Sequence, residues 1–199
     1  MAVVLFITHP EVVVDPAVPV PDWRLSKRGI ARMTAFAASA AAGSVGAIYC
    51  SAERKAQDAA QVLAQRRGLG VTVVAALHEN DRSATGFLEP CEFEATADRF
   101  FAEPLVSVRG WERAADAQAR IVGAVRAIVA ADAAPGDLAI IAHGAVGALL
   151  LCHLSGEPIH RRFDQPGRGG GNLFAFRRAD LSLLHGWRPF DPEGIAAGR

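Results

Sequence analysis

A three-layer αβα sandwich around a mostly parallel central sheet is the fold this sequence predicts, and three observations carry the prediction. Short, strongly apolar runs bounded by turn formers read as strands buried on both faces. Those runs alternate with stretches whose apolar residues recur at helical spacing, the order expected of an α/β sheet covered by helices on both faces. Hydrophobic residues fill 51% of the 199 positions, enough for a sizeable core, and that length suits one domain over residues 1–199 better than two.

Taken in order, the first strand is Val3–Thr8, which runs into His9 and Pro10. Ser26 is placed to N-cap an alanine-rich helix extending to about Ala42. A second strand over 47–50 ends at Cys50. A helix over 53–65 follows, with Ala56, Ala60, Leu63 and Ala64 on one face. A third strand is expected over 72–75. The connection over 78–92 fits no regular element. A short helix over 93–101 stops before Pro104. A longer one over 112–131, anchored by Trp111 and Glu112, carries Asp116 and Arg120 at the i,i+4 spacing of a surface ion pair. The fourth strand, 138–142, runs into His143 and Gly144, and a helix over 147–154 continues from that turn. A second irregular stretch, 157–172, contains Gly-Arg-Gly-Gly-Gly-Asn. A weaker pair of strands follows at 173–176 and 182–184. Long connections in compact domains often carry function, so both irregular stretches are candidates for a lid or rim, with plain surface loops the equal alternative. The glycine run is not a nucleotide P-loop, because it lacks the Gly-Lys-Ser/Thr ending and opens no helix.

Composition narrows the function. Lys plus Arg and Asp plus Glu are equal at 21 each, which argues against a nucleic-acid surface but leaves room for a local cationic pocket. The N-terminal apolar run is too short for a signal-peptide core and no basic residue precedes it. No stretch approaches the roughly 18 apolar residues of a membrane span. A soluble, cytoplasmic protein with no membrane or nucleic-acid partner is expected, with a homodimer left open. Cys50, Cys91 and Cys152 form no Cys-x-x-Cys pair, and their odd number suits no disulfide framework. Cys50 and Cys152 read as small buried hydrophobes.

The chemistry is carried by two histidines, each at the end of an apolar run. Ligands of open parallel sheets bind at the carboxyl ends of the strands, so His9 and His143 fit one crevice. Either one alone reads better as a residue that merely follows a strand, and the pair, with the basic segment 51–56 between them, reverses that reading. A phosphoryl-transfer site needs a nucleophile, cations or N–H donors for the equatorial oxygens, and an acid for the leaving oxygen. His9 can be the nucleophile if its imidazole is neutral and oriented by a backbone acceptor. Arg54 and Lys55 open a helix after a strand, and Gly144 lets backbone approach an anion closely at another strand-to-helix turn. Glu79 lies in the loop after the third strand, near Asp81 and Arg82. His78, Glu79 and Asp81 match no strong metal-ligand spacing, and no metal or cofactor is called for. His153, His160 and His185 read as packing or surface residues, and Trp187 as core or rim.

The order of these segments resembles the histidine phosphatase superfamily, also called phosphoglycerate mutase-like. Its pattern is a strand ending in Arg-His-Gly, a Leu-Ser/Thr-x-x-Gly helix start, Ser-x-x-x-Arg-Ala-x-x-Thr-Ala after a strand, a Glu in the next loop, and a late His-Gly. The corresponding stretches are Thr8-His9-Pro10, Leu25-Ser26-Lys27-Arg28-Gly29, Ser51 to Ala60, Leu77-His78-Glu79 and His143-Gly144, over about residues 1–155. The resemblance implies a phosphoglycerate mutase-like fold and a phosphomonoester hydrolase that forms a phosphohistidine on His9 from a small phosphorylated substrate. It makes His143 a partner in phosphate binding and Glu79 the proton donor. Thr8, Lys55 and the Gly144 backbone fall at phosphate-binding positions. Three departures stand out. The arginine before the nucleophile is Thr8, the glycine after it is Pro10, and the second arginine is Lys55, which cannot make arginine's bidentate fork. Arg54, Arg82 or an arginine of the 161–168 loop is a candidate replacement. A non-catalytic phosphate binder on the same fold is the alternative. A mutase is a third reading, but it needs a second phosphate patch that the sequence does not show.

Overall fold

The computed structural model describes residues 2–167 and 169–190. Arg168, one of the candidate replacement arginines, lies outside the described residues. Six strands form one sheet: β1 (Val3–Thr8), β2 (Val45–Cys50), β3 (Val71–Val73), β4 (Asp137–Ala142), β5 (Asn172–Arg177) and β6 (Leu183–Pro189). Their order is β3-β2-β4-β1-β5-β6. Strands β1 to β4 pair in parallel, and β5 runs antiparallel to both of its neighbours. The mostly parallel sheet expected from the buried apolar runs is therefore what forms.

Alternation along each strand divides the core. Leu5 and Ile7 of β1, with Ala139 and Ile141 of β4, face Met33 and Phe36 of α1 (Lys27–Ala38) and Ala56, Ala60 and Leu63 of α2 (Arg54–Arg67). Val4, Phe6, Leu138 and Ile140 point the other way. They meet Ile121 and Val125 of α4 (Ala114–Ala131) and Val146 and Leu150 of α5 (Gly144–Leu154). Helix α3 (Pro90–Ala102) adds Phe100 and Phe101 to a third cluster with Trp111, Ala148 and Leu149. Helices on both faces make the three layers. No helix among the described residues is long and apolar enough to cross a membrane.

Several boundaries differ from expectation, each for a local reason. Ser26 caps α1 as expected, accepting the Gly29 N–H at 2.9 Å, but α1 ends at Ala38 and a separate 3-10 turn holds Ala40–Ala42. Helix α5 starts three residues before the expected Gly147, because Glu79 supplies the cap that the local sequence lacks. Asp116 and Arg120 do not pair. Arg113 takes Asp116, while Arg120 binds Glu112 at 2.6 Å and the carbonyls of Ala76, His78 and Glu79. A helix-surface residue by spacing is thus the anchor of the loop that carries Glu79.

Candidate active site

The topology builds the site. Strands β2, β4 and β1 are adjacent, so Ser51, His143 and His9, each one residue past a strand, leave the sheet side by side. Backbone bonds fix that edge: the His9 N–H donates to the Ala142 carbonyl at 3.1 Å and the Ser51 N–H to that of Ile141 at 3.0 Å. The two imidazoles come to 5.2 Å between ring centroids, at 67°.

His9 Nδ1 lies 2.9 Å from the Pro10 carbonyl oxygen. A carbonyl only accepts, so Nδ1 carries the proton and Nε2 keeps its lone pair. Replacing the family glycine by Pro10 removes a backbone donor, not this acceptor. Burial, helped by the charge of Lys55, lowers the His9 pKa to about 4. Burial likewise keeps His143 well below its ordinary value. Both rings are neutral at pH 7. Cys50 is pushed up to about 11 by burial, which suits an inert core thiol.

His143 Nε2 sits 2.8 Å from the Ser51 hydroxyl and 3.4 Å from Glu53 Oε1. Lys55 is buried, ion-paired with Glu53, and donates to the Val20 carbonyl at 2.9 Å. Burial alone would raise the Glu53 carboxyl, but His143 and Lys55 outweigh it and hold it at about 2. Glu79 spans from this pair to α5. Its N–H donates to Glu53 Oε1 at 2.8 Å. Its carboxylate accepts the N–H groups of Ala145 at 3.1 Å and Val146 at 3.0 Å, donors that a helix start otherwise leaves unpaired.

Thr8 is buried and committed. Its hydroxyl donates to Gln165 Oε1 at 2.8 Å and accepts the Asn172 N–H at 3.0 Å. Asn172 Nδ2 holds the same Gln165 oxygen at 3.0 Å. With its oxygen so fixed, the Gln165 amide nitrogen lies against Gly144, where an added Cβ would come within 2.4 Å of it. The glycine run explains itself similarly. A Cβ on Gly170 would meet the His9 carbonyl oxygen at 2.0 Å, and its φ is +62°. Gln165, Gly170 and Asn172 of this irregular stretch therefore pack as a rim against the end of β1.

Arg82 stacks on Phe93 and Trp111, its guanidinium carbon 5.2 and 5.7 Å from their ring centroids. It lines a cavity of about 560 Å³ together with Glu53 and Glu79. Arg54 does not join the cluster. It pairs with Asp58 at 2.8 Å on the exposed side of α2. Thus His9, His143, Glu79, Lys55, Thr8 and Gly144 come together, Arg82 stands on the cavity wall, and Arg54 is turned away. Glu53 and Gln165 are additions that the sequence reading did not single out as site residues.

Thr8→Arg is expected to destabilise the fold by about 3 kcal/mol or more, since a long cation would enter a filled, hydrogen-bonded site. Urea unfolding reads it. Unchanged stability would mean that the space stands open for a guanidinium.

A profile of the histidine phosphatase superfamily (branch 1) matches residues 15–174, and the chain belongs to that family. Solved structures of similar fold include Bacillus stearothermophilus YhfR, at TM-score 0.77 and 20% identity over 94% of this chain and 95% of that one. A mycobacterial glucosyl-3-phosphoglycerate phosphatase with inorganic phosphate matches at TM-score 0.73 and 22% identity, over 94% and 95%. The alpha-ribazole phosphatase from Shigella flexneri matches at 0.70 and 16%, over 94% and 96%. No match was found among curated protein sequences.

Proposed function

We propose that the protein is a phosphomonoester hydrolase that works through a phosphohistidine on His9 and acts on a small phosphorylated substrate. The observation that carries this reading is the His9 ring itself: neutral, with Nδ1 tied to the Pro10 carbonyl and Nε2 left as a nucleophile. In the first step, which Glu79 enters with a proton on Oε2, His9 Nε2 bonds to phosphorus as the ester P–O bond breaks, and the leaving oxygen takes that proton. In the second, water attacks the phosphohistidine and returns a proton to Glu79, freeing phosphate and neutral His9. Glu79 Oε1 accepts two N–H groups, from Asn80 and Val146, and Oε2 accepts one, from Ala145. A carboxylate oxygen has two lone pairs, so Oε2 retains one for the transferred proton. His143, the Gly144 backbone, Lys55 and Arg82 are assigned to the phosphate oxygens. Arg54 has no part.

The second reading is a phosphate binder without turnover. The pairing of Lys55 with Glu53 favours it, because the family's cationic clamp is partly neutralised here. Turnover of a generic aryl phosphate decides between the two: a rate that depends on His9 supports the hydrolase, and none supports the binder.

The acid assignment has its own test. Glu79→Gln should slow alkyl phosphates, whose leaving oxygen needs a proton, by two or more decades, at about the low end of general acid catalysis. Aryl phosphates, with good leaving groups, should lose much less. Equal losses on both would assign Glu79 to capping α5 instead.

A further inference from the structure

Glu53 has no role in the mechanism above, yet its carboxylate holds the groups an incoming phosphate needs. One oxygen takes the Lys55 ammonium. The other lies 3.4 Å from His143 Nε2 and accepts the Glu79 N–H at 2.8 Å. A cation, an imidazole nitrogen and a backbone N–H are together the donor set of an oxyanion site. Glu53 also lines the cavity, so a ligand entering there meets this carboxylate on its way to Lys55.

We propose that Glu53 is an internal competitor for the anion site. Its carboxylate occupies Lys55 and His143 in place of the ligand's phosphate, and a phosphate must displace it to reach them. Like charges at such range repel, and weakly screened ones most. Glu53 therefore acts on specificity. Inorganic phosphate and small esters bind weakly, and a good substrate must gain its affinity from the part of the molecule that fills the cavity. The inference rests on the proposed anion site beside His9, but not on turnover.

The test is calorimetric titration of the full chain with inorganic phosphate at pH 7.5, in wild type, Glu53→Gln and Glu53→Gln with Lys55→Met. Glutamine keeps the shape and can still accept the Glu79 N–H, but drops the charge. Phosphate binding should tighten about tenfold or more in Glu53→Gln, a difference typical of one unit charge near an anion. The KM for an aryl phosphate should fall with it. The gain should vanish when Lys55 is also removed. Should Glu53→Gln not fold, Glu53→Asp draws the same carboxylate back by one methylene and should give a smaller gain. Unchanged or weaker binding in a folded variant would overturn the proposal, because the carboxylate would then be aiming Lys55 at the ligand. A gain that survives loss of Lys55 would overturn it too. Tighter phosphate binding without turnover would sustain the competitor and reject the hydrolase. His9-dependent turnover with no gain in Glu53→Gln would do the reverse.

Discussion

His9→Ala is expected to abolish aryl phosphate turnover, a loss of about four decades or more, as when other covalent nucleophiles are removed. The fold should survive. The His9 N–H bond to Ala142 is a backbone bond and persists, and among the described residues the ring's one hydrogen bond is to the carbonyl of the next residue. Far-UV circular dichroism and a cooperative urea transition check that the protein is folded, and initial rates check the loss. A folded His9→Ala protein with full turnover would remove the phosphohistidine from the mechanism. Loss of both fold and rate would leave the assignment to direct labelling.

The second large effect is on stability against pH. His9 titrates near 6.5 when unfolded and at about 4 when folded, and His143 is shifted in the same direction. Below pH 6.5 the unfolded chain therefore binds protons that the native state refuses. The contribution of these rings is fully present above pH 6.5 and is lost as pH falls toward the folded values. A shift of that size at His9 corresponds to at most about 3 kcal/mol, with His143 adding to it. Glu53, held at about 2, gives up its own contribution only as pH falls below the ordinary carboxylate range of about 4.5. The urea midpoint should thus stay nearly level from pH 7.5 to about 6.5 and then fall steadily to pH 5, and His9→Ala should flatten part of that slope. A midpoint independent of pH over this window would mean that the rings are not held neutral.

The sheet and the two histidines were legible because they depend on local pattern. An apolar run ended by a turn former is a strand wherever it lies, and its last residue points out of the sheet edge. The order of strands that puts β4 between β2 and β1 brings His143 beside His9. Sequence pattern gives no such order, and the shared crevice was expected only because ligands of parallel sheets bind at the strands' carboxyl ends and because the resemblance implied it. Pro10 was harder to read. As a letter it breaks the Arg-His-Gly pattern, but the bond that orients the nucleophile needs only a carbonyl, which proline retains.

Glu53 and Gln165 were not legible, for a different reason. Glu53 opens a helix, and nothing local says that its side chain turns inward to meet His143, a residue from another strand. Gln165 reaches Thr8 across 157 positions of sequence, in a stretch with no periodicity to follow. Arg120 sat at ideal spacing from Asp116, and the helix-surface rule favoured that pair. Three carbonyls of the 76–79 segment, which need a donor, won the competition. Polar residues that join distant segments are fixed by tertiary packing, and sequence pattern holds little trace of them.

The central claim is a covalent bond between phosphorus and His9, and trapping that bond tests it most directly. Wild-type protein mixed with an aryl phosphate should be quenched in alkali within the first turnover, digested, and mapped by mass spectrometry. The account predicts an acid-labile, alkali-stable phosphate on the peptide that carries His9, absent from the His9→Ala protein. Sustained hydrolysis with no phosphate on His9, or with phosphate on another residue, would contradict it.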